Sequence, residues 1–374
     1  MYDQQQVFSD SLYVMVYGGS MVFALIACIY LLFRRSNAIA SEVTPPLRLR
    51  RWVAAFFAIM VMSHISWFVL VKYNFFGDLL SIIVAAGLDC VVLIPFIMGM
   101  LLAMLQDRRR PLWLFILASL PIVVLFAMII DSHDVGLLSW VRGYFILMTI
   151  VIIIYMIFAV RQYSLWLRHN YADLEHKEVW QSFLILAFCL IVLSFYVYSS
   201  SGMTYEYVLQ TFDYLFVVIL LWRVETLQAL DNNDDNDDIT EATGLEEVMV
   251  LHSSASQTTI PGNIGLLLEQ YCEGGQLYLR KDITLSELSK AIGTNRYYLS
   301  LYFTRQDTTY NAYINGLRIQ HFVRLYQEAV AADRSFTAQQ LAQESGFRSY
   351  STFATAFKQR MGQTVMMWMR NAAK

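Results

Sequence analysis

The sequence predicts an all-α protein in two parts, a bundle of seven helices long enough to cross a bilayer and a C-terminal helical domain with two helix-turn-helix units. Three observations predict it. Apolar residues fill 57% of the 374 positions and charged residues only 15%, with a mean hydropathy of +0.45, far from a soluble domain's balance. Before residue 230 the apolar residues collect in seven runs of about 20 residues, the length that crosses about 30 Å of hydrocarbon. After Pro261 the apolar positions recur at a helical period with polar faces, punctuated by two capping boxes and two glycine turns.

The runs cover approximately 12–33, 52–71, 79–105, 111–130, 137–160, 180–199 and 207–223. The first has no basic flank before it and is followed by Arg34 and Arg35, so it reads as a span and not as a cleaved signal peptide. Arg34, Arg35, Arg48, Arg50, Arg51, Arg108, Arg109, Arg110, Arg161, Arg168, Lys177 and Arg223 fall on one side of the alternating runs, and only Lys72 and Arg142 on the other. Twelve against two predicts a multi-pass inner-membrane domain over 1–230 with its N-terminus outside and its C-terminus in the cytoplasm. Trp52, Trp113, Trp140, Trp166, Trp180 and Trp222 fall at or near span ends, where indole rings favour the interface. The seventh span is expected to run on as one helix through Arg223.

Residues 231–260 read as an acidic, Ser/Thr-rich linker, opening with DNNDDNDD and holding little apolar content. A calcium loop is disfavoured, because the glycine and glutamate that its spacing requires are not there. Charge is segregated accordingly: residues 1–230 sum to zero, 231–282 to −9 and 283–374 to +6. The overall −3 hides a basic C-terminal part, which points to an anionic partner.

In the domain expected over 261–374, Thr284 and Glu287 form a capping box that starts a short helix over 285–291. Gly293 supplies a turn, Thr294 or Asn295 caps a second helix over about 296–306, and a longer helix follows over about 310–331. Tyr298 and Tyr302, with Leu299 and Phe303 beside them, are expected inside on the second helix, and Tyr313, Ile314, Leu317, Phe322 and Leu325 on the third. The arrangement repeats: Thr337 and Gln340 form the second box, Gly346 the second turn, and Ser349 the cap of a helix that turns Phe353 and Phe357 inward.

This stretch resembles the DNA-binding domain of the AraC/XylS family of bacterial transcription regulators over about 264–370. The resemblance is carried by Gly346, Phe347, Phe353, Phe357, Lys358 and Gly362, and in the first half by Leu299, Phe303, Tyr313, Ile314, Leu317 and Arg318. It implies double-stranded DNA as a partner, RNA polymerase as another and a homodimer as the working form. Asp307 stands where the family usually has glycine, and Val365 where it has proline. By similarity the reading positions are Tyr297, Ser300 and Leu301 in the first recognition helix and Ser349, Tyr350, Ser351 and Thr355 around the second, with Arg296 and Arg348 just ahead of each. Arg305, Lys358 and Arg360 are placed for phosphate, which orients a protein on DNA without specifying sequence. Two recognition helices on one connector suit successive major grooves about 34 Å apart.

Within the spans His64, Asp89 and Asp213 are the exceptional residues, since ionisable groups in hydrocarbon are costly and mark functional sites. They are the candidates for sensing a signal whose identity the sequence does not give. The four cysteines, Cys28, Cys90, Cys189 and Cys272, have no metal-ligand spacing, and no catalytic triad or phosphate loop is found. The expectation is a regulator without catalytic residues, metal or cofactor. A transporter or lipid-modifying membrane enzyme carrying a fused regulatory domain is the alternative, and a bundle that only anchors is a third possibility.

Overall fold

The computed structural model describes residues 10–34, 37–40, 43–73, 76, 78–132, 134–199, 203–230 and 263–372. The expected linker over 231–260, Arg35 and the side chain of Cys189 lie outside the described residues. Every regular element among the described residues is helical, and the only strand-like pairing is an isolated antiparallel bridge between Tyr171 and Thr284. The chain divides into two compact units, one of residues 1–163 with 179–231 and one of residues 164–178 with 232–374.

The first unit holds α1 (Ser11–Phe33), α2 (Leu47–Trp67), α3 (Asp78–Ala103), α4 (Trp113–Ser132), α5 (Leu138–Asn170, up to Tyr163), α6 (Trp180–Ser199) and α7 (Met203–Thr226). Six of them are, among the described residues, long and apolar enough to cross a membrane, and α6 adds 20 residues without a charge. Asp10 caps α1 by accepting the N–H groups of Leu12 and Tyr13. A π-helical turn, Phe68–Lys72, extends α2, and α3 and α4 stay continuous through Pro95 and Pro121. In the bundle α1 packs on α2 and α7, α2 on α3, α3 on α4, and α6 on α7. Large apolar side chains such as Ile26, Phe158 and Phe188 stand more than half exposed on outer faces.

The ends of α1, α3 and α7 are tied together. Arg34 pairs with buried Glu225. Asn37 Nδ2 donates to the Glu225 carbonyl at 2.7 Å, and the Ala229 N–H donates to the Thr44 carbonyl at 2.7 Å. Gln106 donates to the Gln228 carbonyl and accepts the Leu230 N–H, both at 2.9 Å.

The second unit opens with α8 (Ile264–Leu267), which widens into a π-helical stretch to Gly274, and continues through α9 (Leu285–Ala291), α10 (Arg296–Arg305), α11 (Tyr310–Ala331), α12 (Ala338–Glu344), α13 (Tyr350–Met361) and α14 (Val365–Ala372). Both capping boxes are formed, Thr284 with Glu287 and Thr337 with Gln340, and Asn295 and Ser349 cap α10 and α13. Two cores result. Ile264, Leu268, Cys272, Leu285, Leu288, Leu299, Phe303 and Ile314 pack around the α9–α10 pair, and Phe322, Phe347, Phe353, Phe357 and Val365 around α12–α13. The long connector α11 serves both. Arg318 on it, 1% exposed, donates to the carbonyls of Tyr278 and Arg280 at 2.7 Å, and its guanidinium stands 5.6 Å from the centre of the Phe347 ring.

Three backbone positions explain the residue types found there. Gly346 has φ +94°, and a Cβ on it would come within 2.9 Å of the Leu279 backbone, so both conformation and space demand glycine. Asp307 has φ 51°, the left-handed region that favours glycine and where a short polar side chain is the next best tolerated. Val365 is the first residue of α14, a position that accepts proline because its N–H needs no helical partner, and here its side chain fills the second core instead.

Candidate nucleic-acid interface and buried polar cavity

The caps decide which side chains each helix offers. With Leu299 and Phe303 turned into the core, α10 directs Arg296, Tyr297 and Ser300 elsewhere, and all three are half-buried. Leu301 is only 6% exposed and belongs to neither core cluster, so it is not offered at the surface in this conformation. Arg305 is exposed at the end of α10. Arg296 donates through Nη2 to Asn170 Oδ1 at 2.8 Å.

On α13 the arrangement is open. Phe353 and Phe357 face the core, while Tyr350, Ser351, Thr355, Lys358 and Arg360 are exposed. Ser349 is half-buried, because its Oγ accepts the Thr352 N–H at 3.2 Å as the helix cap. The Thr355 hydroxyl donates back to the Ser351 carbonyl at 3.0 Å. Arg348 pairs with Asp282 at 3.3 Å on the surface, a contact of little energetic weight. Tyr350, Thr355 and Lys358 line an open groove of about 700 Å³ that α14 closes with Val365 and Met366.

In the first unit, His64, Asp89 and Asp213 line one cavity of about 400 Å³, together with Arg142 and apolar walls from Ile122, Phe126 and Phe145. Asp89 accepts from Ser63 Oγ at 2.6 Å and from Trp67 Nε1 at 2.5 Å. His64 Nδ1 faces the Met60 carbonyl at 2.8 Å, and since a carbonyl only accepts, that nitrogen carries a proton. Its Nε2 faces Ser20 Oγ at 3.1 Å and Asp213 Oδ2 at 3.4 Å, and Ser20 donates onward to Gln210 at 2.6 Å. Ser20, His64, Gln210 and Asp213 thus connect α1, α2 and α7, while Asp89 on α3 is held separately to α2 through Ser63 and Trp67. Arg142, counted from sequence only as a loop charge, lies in the first turns of α5 and was missed as a lining residue.

No curated protein and no solved structure matches the chain. Residues 288–371 match the family model described as a helix-turn-helix domain, a span that takes in α10 to α13 and both glycine turns. This part of the chain is accordingly a helix-turn-helix domain of the AraC type.

Proposed function

We propose that the protein is a membrane-embedded one-component transcription regulator, in which a seven-helix bundle in the inner membrane biases a cytoplasmic domain that reads DNA through two helix-turn-helix units. The observation that carries the DNA reading is the match of 288–371 to the AraC-type domain, joined to the exposed polar and basic face of α13. A helix with such a face fits the major groove, where base edges distinguish all four pairs. The twelve-to-two basic asymmetry, the six apolar helices and the outward apolar side chains support the membrane reading. The meeting of the ends of α1, α3 and α7 agrees with strict alternation of the spans. RNA polymerase and a second copy of the chain are the further partners in this reading.

The test uses the full chain in lipid vesicles. Duplex DNA is expected to bind with steep salt dependence, because basic side chains displace condensed counterions. Arg305→Ala and Lys358→Ala should weaken all sequences alike, whereas Ser351→Ala and Thr355→Ala should shift base preference at particular positions by about 1–3 kcal/mol. Variants behaving the other way round would break this sorting of residues.

The cavity around His64, Asp89 and Asp213 is the proposed sensing site. Its acids converge on one space, while the helices that carry Pro95 and Pro121 remain unbroken, which favours a sensor over a transporter with discontinuous helices. Asp89→Asn keeps the shape and removes the charge, so it is expected to change target expression in cells at normal protein level. Unchanged expression across envelope stresses at normal protein level would leave the bundle as an anchor.

A further inference from the structure

Residues 164–178, the last turns of α5 and the polar segment between it and α6, are built into the first helix pair of the C-terminal unit. Ala172 is fully buried in the cluster of Leu285, Leu288, Leu299, Phe303 and Ile314. Tyr171 pairs with Thr284 in an antiparallel bridge. From α11, Asn311 Nδ2 donates to the Ala172 carbonyl at 2.7 Å and Asn315 Nδ2 donates to it at 3.3 Å. These contacts anchor the segment, and its flanks reach further. Arg296, the first residue of α10, donates to Asn170 Oδ1 at 2.8 Å through Nη2 and at 3.3 Å through Nε. Thr352, in the first turn of α13, donates its hydroxyl to Glu175 Oε2 at 3.3 Å.

One short segment therefore touches the N-terminal turns of both helices that would read DNA, with an amide oxygen at one and a carboxylate at the other. Helix N-termini present unpaired N–H groups and a positive end, and phosphate is the anion expected there when DNA is bound. Glu175 brings a carboxylate to the hydroxyl of Thr352, in the first turn of α13.

We infer that residues 170–178 are a built-in occupant of the DNA-binding face, an acidic strap whose contacts at Arg296 and Thr352 duplex DNA must displace. The inference rests on the DNA-binding reading above. The strap is held at a cost. Asp173 is 3% exposed with no hydrogen-bond partner for Oδ2 among the described residues, and Lys177 is 5% exposed. Burial pushes the Asp173 carboxyl above, and the Lys177 ammonium below, its ordinary range. Returning the flanks to water relieves both penalties, while Ala172 keeps the strap at hand to redock.

The experiment titrates the full chain in lipid nanodiscs with a mixed-sequence duplex at low salt, comparing the wild type with Asn170→Ala, which changes no charge, and with Glu175→Gln. Asn170→Ala is expected to tighten DNA binding about tenfold, the equivalent of one or two lost competing hydrogen bonds. Hydrogen exchange at 174–178 in the wild type should quicken when DNA is added. Unchanged or weaker binding by Asn170→Ala, with exchange at 174–178 unchanged or slowed by DNA, would overturn the strap and leave the DNA-binding reading standing. Failure of all three proteins to bind duplex at any salt concentration would overturn that reading, and the strap with it.

Discussion

Arg318→Met is expected to destabilise the C-terminal unit by about 3 kcal/mol, because the buried Tyr278 carbonyl and the part-buried Arg280 carbonyl both lose their donor. Burial pushes the guanidinium pKa down, with Tyr310 and Asp173 opposing the shift. Relief of that desolvation offsets part of the loss, but the methionine stem restores no hydrogen bond. The position matters beyond its own contacts, since one side chain holds the segment before α9 and lies over Phe347 of the second core. Cys272 supplies the readout. It is buried in the first core, and burial pushes its thiol up to about 12, so alkylation waits for the core to open. A loss of that size raises the open population, and with it the Cys272 alkylation rate, on the order of a hundredfold. A rate equal to wild type would show that Arg318 does not hold the two cores together.

Phe353→Ala is expected to cost about 3–5 kcal/mol, the range for removing a fully buried aromatic ring without collapse of the site. Phe353 is fully buried, with ring centres of Phe322 at 4.5 Å, Phe347 at 5.2 Å and Phe357 at 5.5 Å. Its effect should differ in kind from that of Arg318. The first core shares none of these rings, so hydrogen exchange should rise across α12 and α13 while Cys272 stays protected. Equal loss of protection in both pairs would mean that the cores open as one.

The second unit was largely legible because its signals are local. Thr284 with Glu287, Thr337 with Gln340 and Ser349 fix helix starts within a turn, and α9 and α11 begin and end where the sequence places them. Gly293 and Gly346 both take positive φ, as their turns require. What stayed hidden is tertiary. Residues 164–178 carry no periodic apolar pattern, and only Ala172 enters the core, so nothing in the sequence announced that they join the C-terminal unit. Leu301 falls in a reading position by similarity, but burial is set by what packs over it and not by its place on the helix. His64, Asp89 and Asp213 were each conspicuous in an apolar span; that they share one cavity, with Arg142 beside them, follows only from how the helices pack.

The central claim joins a bundle that crosses the membrane to a domain that meets DNA, and it requires the end of α7 and the fold after it to face the cytoplasm. The most direct measurement is a pair of topology reporters in the full-length gene, one inserted after residue 230 and one after residue 134. The twelve-to-two asymmetry predicts a cytoplasmic reporter active at 230 and a periplasmic one active at 134. A periplasm-only reporter active at 230 would place the helix-turn-helix domain away from the chromosome and contradict the account.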